Sequence, residues 1–492
     1  MSEKLYLPNV IIPMCGEGRR FKKAGFSTYK PFIQADDTSI IELAIREFPL
    51  DLRIITISSK NILSQDQIPN LETIGIQVAF IEPHSLGPAY TLYRAIHLIE
   101  DDEPYYISYN DISWEWNYQE VFPLLENHDA IVFTHEGFHP HLIQNNFSAF
   151  CEVEGNNLIR IKEKGSFTDD WMNEPLSIGL FYFRKGSDLK RYLNRLIEED
   201  KIKVQGEFYP SLLMNYAVEE DKDVRVFPVK TFVHLGTPEH LNDYNEWVHV
   251  RDHMNGHISD EKYDLVVMCG GTGERMKEFG RDKTLLTLGD ETVFDVLTKT
   301  FNYRNLTAIV NDDTARHDYR VDQYNIGTPQ PSQIDTLNAA LPFLKEQKKF
   351  FLSSNDCFGT SNLRPDSIHD ADIILYGFTP TMTQSKMVGT HTYFSVKGDS
   401  VTDIHIKSKS NEDDFGLAGF FFIRNGDIFN KHFQQFLKRQ TKRDSIDHFI
   451  KYLVEKSKAK VKFIELRHYV HVGTPDEYQE YNFWKNHFIN IV

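Results

Sequence analysis

The sequence predicts an α/β protein of two tandem domains, each a mainly parallel sheet flanked by helices. Three observations point there. A glycine and arginine loop occurs twice, as VIIPMCGEGRRF over 10–21 and as LVVMCGGTGERM over 265–276, each time after a short apolar strand and each time followed by a lysine, Lys30 or Lys283. Further motifs recur in the same order. Between them, short apolar runs alternate with segments whose apolar residues share one helical face, the pattern of a buried sheet covered by helices.

The recurrence can be followed residue by residue. Ile11, Ile12, Gly16, Gly18 and Arg20 answer Val266, Val267, Gly271, Gly273 and Arg275, and Lys30, Asp37 and Phe48 answer Lys283, Asp290 and Phe301. SYND ending at Asp111 answers SSND ending at Asp356, and SIGLFYF around Gly179 answers LAGFFFI around Gly419. VHLGTPEHLNDYNEW answers VHVGTPDEYQEYNFW, which sets His234 opposite His471. Ordered recurrence of this kind indicates two homologous domains of about 240 residues each, an ordinary domain size. The expected division is 1–250, a polar linker over 251–263, and 264–492. In the first half, strands are expected at 10–14, 52–58, 78–82, 105–109 and 130–134, with helices at 39–48 and 91–100. The second half repeats strands at 265–269, 307–311, 350–354 and 372–376. Ligands of such sheets sit beyond the carboxyl ends of the strands, where Gly16 and Asp111 fall.

Composition bounds the function. Of the 492 residues, 41% are apolar and 25% charged, and no apolar run approaches the ~20 residues of a membrane span. The N-terminus enters a strand without a secretory signal, so a cytoplasmic protein is expected. The net charge of −17, from 54 basic against 71 acidic residues, argues against a general nucleic-acid binder. The four cysteines, Cys15, Cys151, Cys269 and Cys357, lack metal-binding spacing and read as buried free thiols.

The loop carries chemistry. Two glycines one residue apart after a strand let the backbone turn tightly and present amides to phosphate oxygens, while a nearby arginine and lysine neutralise charge. A dinucleotide fold would require a third glycine where Phe21 and Met276 stand, and the absence of GKS or GKT excludes a P-loop.

These residues resemble the sugar-phosphate nucleotidylyltransferases, with their GxGxR loop, following lysine and strand ending in aspartate; the resemblance covers essentially both halves. It implies Rossmann-like domains of the GT-A nucleotidyltransferase type. It further implies that Gly16 and Gly18 wrap the nucleotide phosphates, that Arg20 stabilises the leaving pyrophosphate and that Lys30 bridges the reacting phosphates. Gly271, Gly273, Arg275 and Lys283 would hold a triphosphate in the second half. IKEKG matches the family's EK motif, with Lys164 on the acceptor phosphate and Glu163 beside its hydroxyls. Gly87 falls at the turn that packs the base, and Gly179 at the small residue under the sugar. Asp111 and Asp356 would hold magnesium, or manganese in its place, with His234 and His471 where the family has a second aspartate.

The implied activity joins a nucleoside monophosphate, drawn from a nucleoside triphosphate, to a phosphorylated small-molecule acceptor with release of pyrophosphate. Because the His-GTP ending and tandem layout resemble the capsule branch, surface-polysaccharide precursor synthesis is the expected context. The alternative is a regulatory protein that binds a nucleotide or nucleotide sugar with one or both domains inactive. A homo-oligomer is left open. Departures from the family are Tyr29 and Asp282 before the lysine and Thr284 after it. In the second half IKSKS replaces IKEKG, setting Lys409 opposite Lys164 and Ser408 opposite Glu163, and PQPSQIDTL replaces the base turn. The first half is therefore expected to be the better enzyme.

Overall fold

The structure, a computed structural model, describes residues 7–143, 145–200, 202–279, 282–316, 319–386, 389–441 and 445–489. Two compact units divide the chain, 1–245 and 246–492, the division falling inside the helix Pro238–His253.

In the first unit a nine-stranded sheet runs, edge to edge, Ile76–Phe80, Ile54–Ser58, Asn9–Pro13, Tyr105–Ser108, Leu176–Phe183, Ala130–His135, Val224–Pro228, Asn157–Lys162 and Phe150–Glu154. The first four strands are mutually parallel. Leu176–Phe183 is antiparallel to both its neighbours, and Asn157–Lys162 runs antiparallel to Val224–Pro228 and Phe150–Glu154. The sheet is thus mixed rather than mainly parallel. The reason is physical: a strand buried on both faces reads as an apolar run whatever its direction, so LSIGLFYF, buried throughout, carries no sign of its orientation.

The second unit repeats this order strand for strand: Asp322–Asn325, Tyr303–Val310, Tyr263–Met268, Phe350–Ser354, Phe415–Ile423, Ile373–Phe378, Val461–Glu465, Ser400–His405 and Tyr393–Lys397. The expected helix over 39–48 appears as Ile40–Ile45, started by a capping box in which Glu42 accepts from the Ser39 amide at 2.8 Å. Thr292 and Asp295 cap the corresponding helix Val293–Lys299 in the same way. The helix expected over 91–100 is Pro88–Arg94 followed by a short 3₁₀ turn, Ile96–Leu98.

Core packing lies on both sheet faces. One cluster in the first unit joins Ile11, Leu92, Ile107, Phe181 and Leu193, and the opposite face packs Ile12, Phe48, Tyr106, Trp114 and Phe133. All four cysteines are buried without disulfides. Among the described residues no helix is long and apolar enough to cross a membrane.

Two glycines show how closely the helices seat. A Cβ on Gly186 would collide with the Glu100 carbonyl, and one on Gly426 with the Gln347 carbonyl, each at the start of the helix that follows the central antiparallel strand. Gly186→Ala and Gly426→Ala are each expected to lower stability by about 1–3 kcal/mol, because the backbone must shift to admit the methyl group. Urea unfolding of the two variants checks this; unchanged midpoints would show that the helix starts can relax at no cost.

Candidate functional site

The site of the first unit begins where the strand Asn9–Pro13 ends. The chain turns through Gly16 and Gly18, the latter in the left-handed region at φ 63°, and enters the short helix Arg19–Lys23. Tyr29, just before the lysine, supports the turn: its hydroxyl donates within 2.9 Å of the Met14 carbonyl and 3.1 Å of the Gly16 carbonyl. Lys30 follows and meets Asp111, Nζ to Oδ2 2.8 Å, with both side chains largely buried.

Asp111 lies just past the strand Tyr105–Ser108. The two-stranded ribbon pairing Ile112–Glu115 with Thr231–His234 brings a distant part of the chain beside it, and Leu235 N donates to the Asp111 carbonyl at 2.7 Å. His234 Nε2 thereby comes 3.8 Å from Asp111 Oδ2. A Cβ on Gly236 would collide with the His234 ring and approach Asp111 Oδ2 to 2.8 Å, so this glycine keeps the space beside the pair open. Behind His234, His240 contacts it Nδ1 to Nδ1 at 3.1 Å and stacks on His141 with ring centroids 3.9 Å apart.

The electrostatics follow from these distances. Burial works to raise the Asp111 carboxyl, but Lys30, His234 and Arg20 outweigh it and bring it to about 2, leaving the group ionised. Burial lowers the His234 imidazole; Asp111 pulls it upward, while Lys30 and Arg20 oppose that pull, so the ring is neutral at pH 7.

A cavity of about 900 Å³ gathers the expected residues of this half in its lining: Gly16, Gly18, Arg20, Lys30, Asp111 and His234, together with Gly87, Glu163, Lys164 and Gly179. Arg20 is exposed at its rim. Lys164, in the left-handed region at φ 54°, donates to Gln205 Oε1 at 2.8 Å and lies 4.8 Å from the centre of the Tyr209 ring. Glu163 accepts from the Ser211 hydroxyl at 2.5 Å. The two glycines have packing reasons of their own. At Gly87 a Cβ would press on Glu207 and Phe208, and at Gly179 it would enter the Tyr109 ring.

The second unit rebuilds part of this. Gly273 adopts φ 61°, Lys283 Nζ meets Asp356 Oδ2 at 2.6 Å, and the ribbon of Cys357–Thr360 with His468–His471 sets His471 Nε2 3.7 Å from Asp356. Gly473 repeats the part of Gly236. Arg275 is exposed in a 3₁₀ segment, Glu274–Phe279, rather than in an α-helix. The loop also has a different partner, since Gln330 N donates to the Gly270 carbonyl at 3.0 Å and Gly271 bridges Gln330.

Two differences between the units go beyond the expected ones. Asn157 pairs with Arg225 and Ser400 with Lys462, and the left-handed lysines are Lys164 and Lys407, so the structural counterparts of Glu163 and Lys164 are Ile406 and Lys407, not Ser408 and Lys409. The matching letters of IKEKG and IKSKS are two residues out of register. The second difference is His240, whose place is taken by Glu477. His471 Nδ1 donates to Glu477 Oε2 at 2.7 Å. Burial would lower the His471 imidazole, but Glu477 and Asp356 outweigh it and raise it to about 9, so this ring is charged where His234 is neutral. The signal was present as the one site in the repeated GTP motif where histidine faces glutamate.

No protein-family model matches the chain, and a search of curated proteins found no match. Solved structures similar to it include a nucleoside-diphosphate-sugar pyrophosphorylase from Vibrio cholerae RC9, at 17% identity and TM-score 0.40, over 48% of this chain and 99% of that one. Another is a putative glucose-1-phosphate thymidylyltransferase from Bacillus anthracis, at 15% identity and TM-score 0.40, over 49% and 94%. The inositol-1-phosphate CTP transferase from T. maritima matches at 14% identity and TM-score 0.35, over 46% and 97%.

Glu163 generates a pH prediction. Burial raises its carboxyl, against smaller opposing effects of Ser211 and Lys164. A carboxyl raised in the folded state favours folding below its unfolded pKa of ~4.3 and loses that contribution as pH rises through the folded value. Glu163→Gln should therefore gain stability relative to the parent protein between about pH 4 and pH 7. The urea midpoints of both proteins at the two pH values test it, and a constant difference would contradict it.

Proposed function

We propose that the first unit is a nucleotidylyltransferase. It would transfer a nucleoside monophosphate from a nucleoside triphosphate to a phosphorylated acceptor, a sugar phosphate or similar ester, and release pyrophosphate. The observation that carries this reading is the convergence on one cavity of three things: a glycine loop with Arg20, the Lys30–Asp111 pair, and Glu163 with Lys164.

The chemistry asks for position and charge. An acceptor phosphate oxygen attacks the α-phosphorus in line, the bond to the bridging oxygen breaks, and pyrophosphate leaves with its electron pair. The loop amides at Gly16 and Gly18 would hold the triphosphate, Arg20 would lie against the leaving group, and Lys30 would neutralise charge gathering on the reacting phosphate. Lys164 would orient the acceptor phosphate.

Asp111 fits a hard divalent cation: its carboxylate is ionised, and Gly236 leaves the space beside Oδ2 clear. Magnesium, or manganese, held there with phosphate and water oxygens would neutralise phosphate charge. Neutral His234 is the softer and poorer partner for magnesium. The tandem layout and the His-GTP ending suggest surface-polysaccharide precursors as the product class.

For the second unit, the pinned glycine loop and Ile406 in place of Glu163 favour nucleotide binding without the same turnover. Lys30→Ala is accordingly expected to lower the rate of pyrophosphate release by roughly 10²-fold or more with the fold intact, whereas Lys283→Ala leaves that reaction near the parental rate. Pyrophosphate release from a panel of triphosphates and phosphorylated acceptors measures both. Full activity in Lys30→Ala would reject the assignment.

A further inference from the structure

We infer that the second unit holds a divalent transition ion of the zinc type on His391, His471 and Glu477. The three side chains come from three places in the chain: His391 just before the strand Tyr393–Lys397, His471 at the end of His468–His471, and Glu477 in the first turn of the helix Pro475–Ile489. Their ligand atoms all lie within 4.8 Å of one another. His391 and Glu477 are 6% and 1% exposed as side chains, and His471 is 13% exposed.

The detailed geometry singles out a cation. His391 Nε2 and Glu477 Oε1 face each other at 3.3 Å as a buried pair whose alignment falls short of a good hydrogen bond. Two buried polar atoms so loosely paired are poorly satisfied, and a cation between them would satisfy both. Ligands of a tetrahedral zinc at 2.0–2.1 Å stand roughly 3.3 Å apart, which is the separation found. His471 Nδ1 completes the group on the other carboxylate oxygen, Glu477 Oε2, at 2.7 Å. On binding, the cation replaces the proton that Nδ1 now donates, and that proton passes to solvent.

The surroundings suit a histidine ligand. Its far nitrogen, Nε2, faces the Asp356 carboxylate at 3.7 Å, the arrangement by which a carboxylate orients a metal-bound imidazole. Thr474 Oγ1 donates to Glu477 Oε2 at 2.8 Å and helps fix the carboxylate. Two imidazoles and one carboxylate select zinc, cobalt or iron over magnesium, which prefers oxygen alone. The first unit cannot offer this set, since His240 stands in the place of Glu477 and brings an imidazole to His234 instead of a carboxylate. The inference is independent of nucleotidyl transfer, because none of its steps uses a substrate.

The test uses the untagged full-length chain, stripped with a chelator and titrated with zinc and, separately, cobalt. One tightly bound equivalent is expected, with cobalt showing the visible absorption of a low-coordinate nitrogen and oxygen site. His391→Gln and Glu477→Gln, checked for folding by circular dichroism, should each weaken binding by about 100-fold or more and lose that absorption. If either variant does not fold, X-ray absorption of the zinc-loaded parent protein decides: scattering from two imidazoles supports the site, and thiolate or oxygen-only scattering overturns it. Absence of a stoichiometric zinc in the parent protein, or equal binding by the folded variants, also overturns it.

Discussion

A carboxylate buried beside a lysine, just past the strand Tyr105–Ser108 in one sheet and Phe350–Ser354 in the other, is the interaction on which the rest of the site depends. Such a pair gains from its mutual attraction only if the geometry is held, because each charge has been taken out of water. Asp111 is held by a ribbon that clamps both sides of it: its carbonyl receives Leu235 N, and His234 lies across from Ile112. Lys30 is held by its place just after Tyr29, whose hydroxyl ties the same segment to the glycine loop. One buried pair thus sets the loop, the ribbon and the histidine relative to each other. Asp356 and Lys283 do the same in the second unit, where Val472 N reaches the Asp356 carbonyl at 2.8 Å.

With that frame shared, the units differ by what stands behind the histidine. His240 meets His234 nitrogen to nitrogen and brings it no negative charge, and burial, with Lys30 and Arg20 nearby, keeps the His234 ring neutral. Glu477 brings a negative charge to His471, which with Asp356 on the other side places the ring between two carboxylates. A single exchange of imidazole for carboxylate therefore changes the charge of a site whose backbone is otherwise repeated. The glycine loop diverges as well. In the first unit it is tied by a side-chain hydroxyl, that of Tyr29, and in the second by the backbone of Gln330. Duplicated folds drift in this way because the sheet is fixed by its core while the loops at its carboxyl ends are not.

The sequence by itself determined the duplication, the alternation of strands and helices, and the residues that meet at the cavity. Those were legible because they are local: a glycine pair after an apolar strand, a capping box at Ser39, an aspartate at a strand end. Only the tertiary structure decided the direction of Leu176–Phe183, the true counterpart of Lys164, and the partners of His234 and His471. Strand direction is invisible when both faces are buried, and register depends on which strand lies alongside, as Asn157 with Arg225 and Ser400 with Lys462. The charge on each histidine depends on groups brought near by folding, since burial and neighbouring carboxylates act through space and not along the chain.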